Sequence, residues 1–145
     1  LEKPVLFLSS YFKKHQELYY EKLFAYHNGN VQGWIDFFLD GVIEISKEAI
    51  EIVDKITKLR NRDILKISTL GKRAAESAAF ILPKLYGQPV VNTKILQEWT
   101  GFSRQGVQIL IKRFKKMGIL SERNKDKTYG QSYIYKEYIH IFNEK

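Results

Sequence analysis

The chain has 145 residues, 44% of them hydrophobic and 14% aromatic, which is enough apolar material for a buried core and argues against general disorder. It has no cysteine, which excludes disulfides and fits a cytoplasmic protein, and its apolar runs are far shorter than the roughly 20 residues that cross a bilayer, so no membrane partner is expected. The whole net charge of +8 lies in residues 67–145, where fourteen basic residues oppose six acidic ones, so only this half has an electrostatic reason to approach a polyanion.

The first predicted element is a long helix that begins near Pro4, because proline suits the first turn of a helix. Apolar residues then recur at helical spacing as far as Tyr26, with His15 in the one polar gap. The sequence "HNGN" at residues 27–30 predicts the end of this helix, since glycine and asparagine tolerate a left-handed backbone. Asn30 is the expected cap of the next helix.

The second predicted helix is longer. Its apolar residues are spaced by three or four from Trp34 to Leu59, a stripe that belongs to a helix of roughly 30 residues, or about 45 Å. A helix of that length needs packing partners along its whole length, and the first helix covers only part of it. Upstream protein or a second copy, as a homodimer, is therefore an expected partner. The polar residues 60–68 predict a junction, so the domains are placed at 1–67 and 68–145.

Residues 3–43 resemble a segment of Fic-family proteins that lies just downstream of the catalytic motif. The family pattern is a proline, a short apolar run, Leu-Ser-x-Tyr, a Tyr-Tyr pair, and then Trp-Ile and Phe-Leu before a long helix. The matching residues are Pro4, Leu8, Ser9, Tyr11, Tyr19, Tyr20, Trp34, Ile35, Phe38 and Leu39. The resemblance implies that residues 1–67 correspond to the C-terminal part of a Fic domain.

The catalytic motif of the family does not occur in this chain. Fic proteins that transfer AMP from ATP to a protein hydroxyl carry His-Pro-Phe-x-Asp/Glu-Gly-Asn-Gly-Arg, and no His-Pro is present here. We therefore expect no enzyme activity, no catalytic residue and no cofactor in this chain. The three histidines lack a spacing typical of zinc ligands, so no metal site is expected either.

A longer parent protein is nevertheless expected. The chain begins with Leu1, and its only methionine is Met117, so we expect it to be a piece of a larger polypeptide. The resemblance implies that a complete Fic parent is an adenylyltransferase that uses ATP and a divalent metal. An upstream Fic catalytic domain is then a further expected partner.

Residues 68–145 predict a winged helix-turn-helix domain. A first helix should end or kink at Pro83, and a short extended piece should follow it. Asn92 or Thr93 should cap a two-turn helix, and Gly101 should form the tight turn after it. The predicted fold class is therefore mainly α: a long helical hairpin or bundle remnant followed by a winged helix-turn-helix with a small two-stranded β wing.

The third helix of this domain begins after Ser103, a typical capping residue. Its core face is predicted from the spacing of Val107, Leu110, Ile111, Phe114 and Met117. Gly118 should end the helix. Residues 121–135 predict two strands joined by a basic loop, and the last residues predict a short final helix.

This half also resembles the Fic family, many of whose members end in a winged helix with the pattern Ser-x-x-Thr-Ala-(x)₃-Ile-x-x-Leu-(x)₃-Gly-Ile-Leu. The matching positions are Ser103, Ile111, Phe114, Gly118, Ile119 and Leu120. Gly106 stands where the pattern has threonine. Glycine costs roughly 1 kcal/mol of helix propensity relative to alanine. Val107 replaces the alanine. Taken alone, this half is equally typical of many bacterial transcription regulators.

The polar residues of this helix and the following loop predict DNA binding. Residues 104–127 hold eight basic and two acidic residues. The start of the helix would contact base edges in the major groove, and later lysines would contact phosphates. The predicted DNA-binding residues are Ser103, Arg104, Gln105, Gln108, Lys112, Lys115, Lys116, Arg123, Lys125 and Lys127. The alternative is a winged helix that contacts protein or a second copy without binding DNA, because a fold alone does not establish function.

Overall fold

The computed structural model describes residues 8–123 and 130–143, which are mostly helical with one small antiparallel sheet. This confirms the predicted mainly helical class. The chain divides into two compact units, Leu1–Asp54 and Lys55–Lys145. The elements in chain order are α1 (Leu8–Lys14), α2 (Gln16–His27), α3 (Val31–Ser68), α4 (Lys72–Gly87), β1 (Val90–Asn92), α5 (Thr93–Thr100), α6 (Arg104–Lys116), β2 (Ser121–Glu122), β3 (Ser132–Ile134) and α7 (Lys136–Asn143).

The first predicted helix is two helices, so the prediction of one continuous helix was wrong. The backbone of His15 has φ −112° and ψ 41°, outside the helical region, and it separates α1 from α2. The break is confined to one residue, because the amide of His15 still donates to the Tyr11 carbonyl and the amide of Tyr19 to the His15 carbonyl. Apolar periodicity continues across such a break and therefore does not reveal it. The expected start at Pro4 lies outside the described residues.

The core of the first unit is a small aromatic cluster between α1, α2 and α3. Its buried members are Tyr11, Phe37 and Ile45, with Phe12, Tyr19 and Trp34 packed against them. Phe37 is 3% exposed, whereas Phe38, which follows Trp34 at helical spacing and was expected on the apolar face, is 38% exposed. One residue along a helix turns the side chain by about 100°, so neighbouring phenylalanines cannot share the same face.

The capping predictions for α3 are confirmed, but its end was predicted too early. Asn30 accepts a hydrogen bond from the Gly33 amide at 3.0 Å, and α3 then runs for 38 residues through the stretch predicted as a junction. That stretch is helical because Asp63 and Ile67 are buried in the second unit. The two compact units divide inside α3, after Asp54.

The second unit has one larger hydrophobic core. Its buried residues come from the end of α3, from α4 to α6, from the sheet and from the residues next to its strands, and include Ile81, Leu85, Leu96, Phe114 and Tyr135. The helix α4 does not end at Pro83 but continues to Gly87. Proline removes one helical hydrogen bond, and burial of Leu82 and Leu85 on either side of it favours continuation of the helix.

The sheet has three strands, one more than predicted. Its order is β1-β3-β2, and both pairs are antiparallel. The piece that the sequence identified only as extended is β1, in which Val91 pairs with Tyr133. Both of these side chains are buried, so the inner face of the sheet joins the core of this unit.

Candidate nucleic-acid interface

Two short helices and a tight turn position a basic surface of the second unit. The side chain of Asn92, rather than Thr93, caps α5 by accepting a hydrogen bond from the Ile95 amide at 2.9 Å. Gly101 ends α5 with φ +68°, a conformation that glycine adopts without strain. Ser103 then caps α6 by accepting from the Gly106 amide at 3.2 Å. The caps fix where α6 begins and which of its residues face outward.

The core face of α6 is as predicted. Val107, Leu110, Ile111 and Phe114 are at most 3% exposed, and Met117 packs against the same core. At about 100° per residue, the opposite face is centred on Gln105, Ile109, Lys112 and Lys116. All four are exposed. The helix itself carries five basic residues and no acidic one, so its outward surface is electropositive.

A polar cleft of about 440 Å³ lies on one side of α6, between that helix, the start of α5 and β3. Lys94 and Arg104 supply its positive charge. Gln108 donates a hydrogen bond to the Thr93 hydroxyl at 3.2 Å, so its side chain links α6 to α5. The lining residues are Asn92, Thr93, Lys94, Gln97, Arg104, Gln108, Gly130, Gln131 and Tyr133.

A second cleft of about 440 Å³ adjoins the first along α6, next to β2, and the two clefts share Gln108, Gln131 and Tyr133. Gln105, Gln108 and Lys112 face it from the helix. Lys115 also lines this cleft, but its ammonium group forms an ion pair with the Glu122 carboxylate of β2. Lys115 is thus held in place, and much of its positive charge is offset by a neighbour.

The remaining predicted residues differ in how they are placed. Ser103 uses its side chain as the helix cap, and Lys116 is exposed on the outward face. Arg123 is exposed at the end of β2, where its backbone amide donates to the Ser132 carbonyl at 2.9 Å. Lys125 and Lys127 lie outside the described residues. The structure therefore brings together the predicted residues of α6, while the loop predicted to extend the site is not described.

Three residues of this surface were missed by the sequence analysis. Lys94 and Gln97 lie on α5 and line the first cleft, although only α6 and the loop were considered. Ile109 lies on the outward face of α6 and is 47% exposed. Helical spacing alone could have found Ile109, because it falls outside the 3–4 pattern of the core face.

The end of α6 is anchored to the last turns of α3. The Lys66 ammonium donates to the Met117 carbonyl at 2.9 Å, where the carbonyls of α6 lack helical partners. Lys66 also lies 3.4 Å from the Asp63 carboxyl group, which is fully buried and accepts a hydrogen bond from Tyr135. Burial, and then the hydrogen bond to Asp63, raise the pKa of Tyr135 well above its ordinary value. Packing and polar contacts together hold α6 firmly against this unit.

No family model matches this chain, and no curated protein matches it. Among the residues that the structure describes, no helix is both long and apolar enough to span a membrane. Within the same residues, no cluster of three or more histidine, cysteine or acidic side chains is arranged to hold a metal ion. The basic surface of α6 and the two adjoining clefts beside it form the candidate interface.

Proposed function

We propose that this chain is the C-terminal part of a Fic-family protein and that its winged helix binds duplex DNA through the outward face of α6. The observation that carries the proposal is that α6 presents basic and amide side chains on one surface, with two adjoining clefts between this surface and the sheet. An α-helix fits the major groove of B-DNA, and the clefts beside α6 provide space for one of the phosphate backbones that border the groove.

The order of the elements supports a winged helix. α4, α5 and α6 are followed by the antiparallel pair β2 and β3, and the turn at Gly101 joins the two helices that would form the helix-turn-helix. In such domains the start of the last helix meets the base edges. Arg104, Gln105 and Gln108 occupy that start, and amide and guanidinium groups are suited to adenine and guanine edges.

The lysines further along α6 would contact phosphates. Lys112 and Lys116 are exposed on the outward face, and phosphate contacts of this kind supply most of the affinity without sequence preference. Lys94, at the start of α5, would contact a phosphate beside the first cleft. The chain itself would perform no chemistry, and a complete Fic parent would supply AMP transfer from ATP.

The test is duplex binding by fluorescence anisotropy with a labelled random-sequence 24-base-pair duplex. The variant Lys112→Ala/Lys116→Ala should bind roughly tenfold more weakly, because two phosphate contacts are removed. The matched control Lys13→Ala/Lys47→Ala removes the same charge from exposed positions of the first unit and should bind like the wild type. An equal loss in both variants would show that only net charge matters and would refute an interface on α6.

A winged helix that contacts protein makes the opposite prediction. Micromolar protein would then fail to bind any duplex at low salt, and the Lys112→Ala/Lys116→Ala variant would change the sedimentation coefficient of the chain rather than its DNA affinity. This result would assign the basic surface to an intermolecular protein contact.

A further inference from the structure

Ile109 is an apolar residue on the exposed face of α6. It is 47% exposed, whereas the other apolar residues in the middle of this helix, Val107, Leu110 and Ile111, are at most 3% exposed. Its neighbours one turn away on the outward face are Gln105 and Lys112. A β-branched residue also has a lower helix propensity than the polar side chains that usually occupy such positions. Neither burial nor helix formation explains an isoleucine here.

The position of Ile109 is central to the proposed interface. It lines the cleft next to β2 together with Gln105 and Lys112, and it also borders a groove on its other side with Phe102 and Arg113. It lies in the second turn of α6, one residue after Gln108. A helix that enters the major groove with its N-terminal turns first would therefore bring Ile109 to the base edges together with Gln105 and Gln108.

We propose that Ile109 contacts the 5-methyl group of a thymine in the major groove and so gives the chain a preference for thymine at one position of its DNA site. This inference rests on the proposed function. Thymine is the only DNA base with an apolar group on its major-groove edge. Cytosine has no methyl group at C5, and adenine has none on its major-groove edge, so either base at that position would lose the apolar contact.

The expected size of the preference follows from the area that one methyl group removes from water. Burying one methyl group corresponds to about a three- to fivefold gain in affinity. Arg104, Gln105 and Gln108 would add hydrogen bonds to neighbouring bases, so the thymine contact would be one contribution to sequence preference among several. It is distinguishable because it alone depends on the methyl group.

The experiment first selects preferred sites from a random duplex library with the wild-type chain. Each thymine of a selected duplex is then replaced, one at a time, by deoxyuridine, which pairs identically but lacks the methyl group. We expect one replacement to weaken binding of the wild type about three- to fivefold. For Ile109→Ala the same replacement should have no effect, and its affinity for the thymine duplex should equal that of the wild type for the uracil duplex.

The control variant is Lys116→Ala, which lies on the same face of α6. It should weaken binding to the thymine and uracil duplexes equally and leave their ratio unchanged, because a phosphate contact is insensitive to the methyl group.

Four results would overturn the inference, and they are distinguishable. If the chain binds duplexes but selection yields no preferred site, or if Ile109→Ala keeps the sensitivity to uracil, the thymine contact is refuted while DNA binding stands. If no duplex binds at low salt, the proposed function fails and this inference fails with it. If Ile109→Ala instead converts a dimer into monomers in sedimentation, Ile109 belongs to a contact between copies.

Discussion

The Tyr135 hydroxyl donates a hydrogen bond to the Asp63 carboxyl group, although 72 residues separate the two in sequence. Both side chains are fully buried, and Asp63 also accepts hydrogen bonds from Arg62 at 3.0 and 3.1 Å. Its ion pair with Lys66 connects it to the end of α6, because Lys66 donates to the Met117 carbonyl. A buried carboxyl group with several donors is strongly destabilised when one donor is removed.

We expect Tyr135→Phe to lower the free energy of unfolding by about 1–3 kcal/mol, because the buried Asp63 loses a donor that nothing replaces. Urea denaturation followed by circular dichroism measures this change. The matched control is Tyr133→Phe, which also removes a tyrosine hydroxyl, but one that contacts the partly buried Gln131 at 3.2 Å. Tyr133→Phe should lower the free energy of unfolding clearly less than Tyr135→Phe. Equal losses of stability in the two variants would argue against a special role for the contact with Asp63.

The raised pKa of Tyr135 predicts loss of stability in alkaline solution. An unfolded tyrosine loses its proton near pH 10, whereas Tyr135 in the folded chain keeps its proton, because burial and the hydrogen bond to Asp63 oppose ionisation. The stabilising contribution is therefore complete below about pH 10 and falls as the pH rises above that value. Urea midpoints measured from about pH 8 to 11 should decrease less steeply for Tyr135→Phe. Parallel curves for the variant and the wild type would contradict this.

Gly41 of α3 is required for packing in the first unit. A Cβ at this position would lie 2.6 and 2.8 Å from two carbons of the Tyr11 ring, which is buried. We expect Gly41→Ala to lower the free energy of unfolding by about 1–3 kcal/mol, despite its higher helix propensity.

The control for this prediction is Gly106→Ala in α6. There the nearest atom to a new Cβ is the Phe102 Cβ at 3.3 Å, and Phe102 is 40% exposed, so it can shift. This substitution should stabilise the chain by up to about 1 kcal/mol. If thermal denaturation shows a lower melting temperature for Gly41→Ala and a higher one for Gly106→Ala, the packing argument is confirmed. A gain in stability for Gly41→Ala would refute it.

The local features of the second unit could be predicted from the sequence. Ser103, Asn92 and Gly101 act as caps or turn residues through contacts with residues a few positions away, and such contacts leave a short-range signal. The core face of α6 follows helical spacing for the same reason. The outward placement of Arg104 and Lys112 then follows directly, because residues on one helix keep fixed angles to one another.

The features that the sequence did not reveal depend on partners far along the chain. Residues 60–68 resembled a polar junction because the sequence alone does not show that Asp63 is buried. The Tyr135 hydroxyl, which donates a hydrogen bond to the buried Asp63, is 72 residues away. The strand β1 is recognisable only through its pairing with β3. The ion pair of Lys115 with Glu122 depends on where β2 packs, so a lysine predicted to contact phosphate is in fact paired with an acid.

This ion pair gives a prediction about affinity. Glu122→Gln should release Lys115 and strengthen duplex binding about threefold, with a steeper dependence on salt, because one more cation becomes available to a phosphate. The control Glu76→Gln makes the same change of charge on an exposed position of α4 and should leave binding unchanged. If both variants gain equally, long-range charge rather than Lys115 is responsible.

The most direct measurement is the slope of log Kd against log salt concentration for duplex DNA, by fluorescence anisotropy from about 50 to 300 mM KCl. DNA binding through α6 predicts a steep slope for the wild type and a reduction by about two in Lys112→Ala/Lys116→Ala, about one for each lost phosphate contact. Lys13→Ala/Lys47→Ala should keep the wild-type slope. A slope that is unchanged in Lys112→Ala/Lys116→Ala, or no binding at low salt with micromolar protein, would contradict DNA binding by α6.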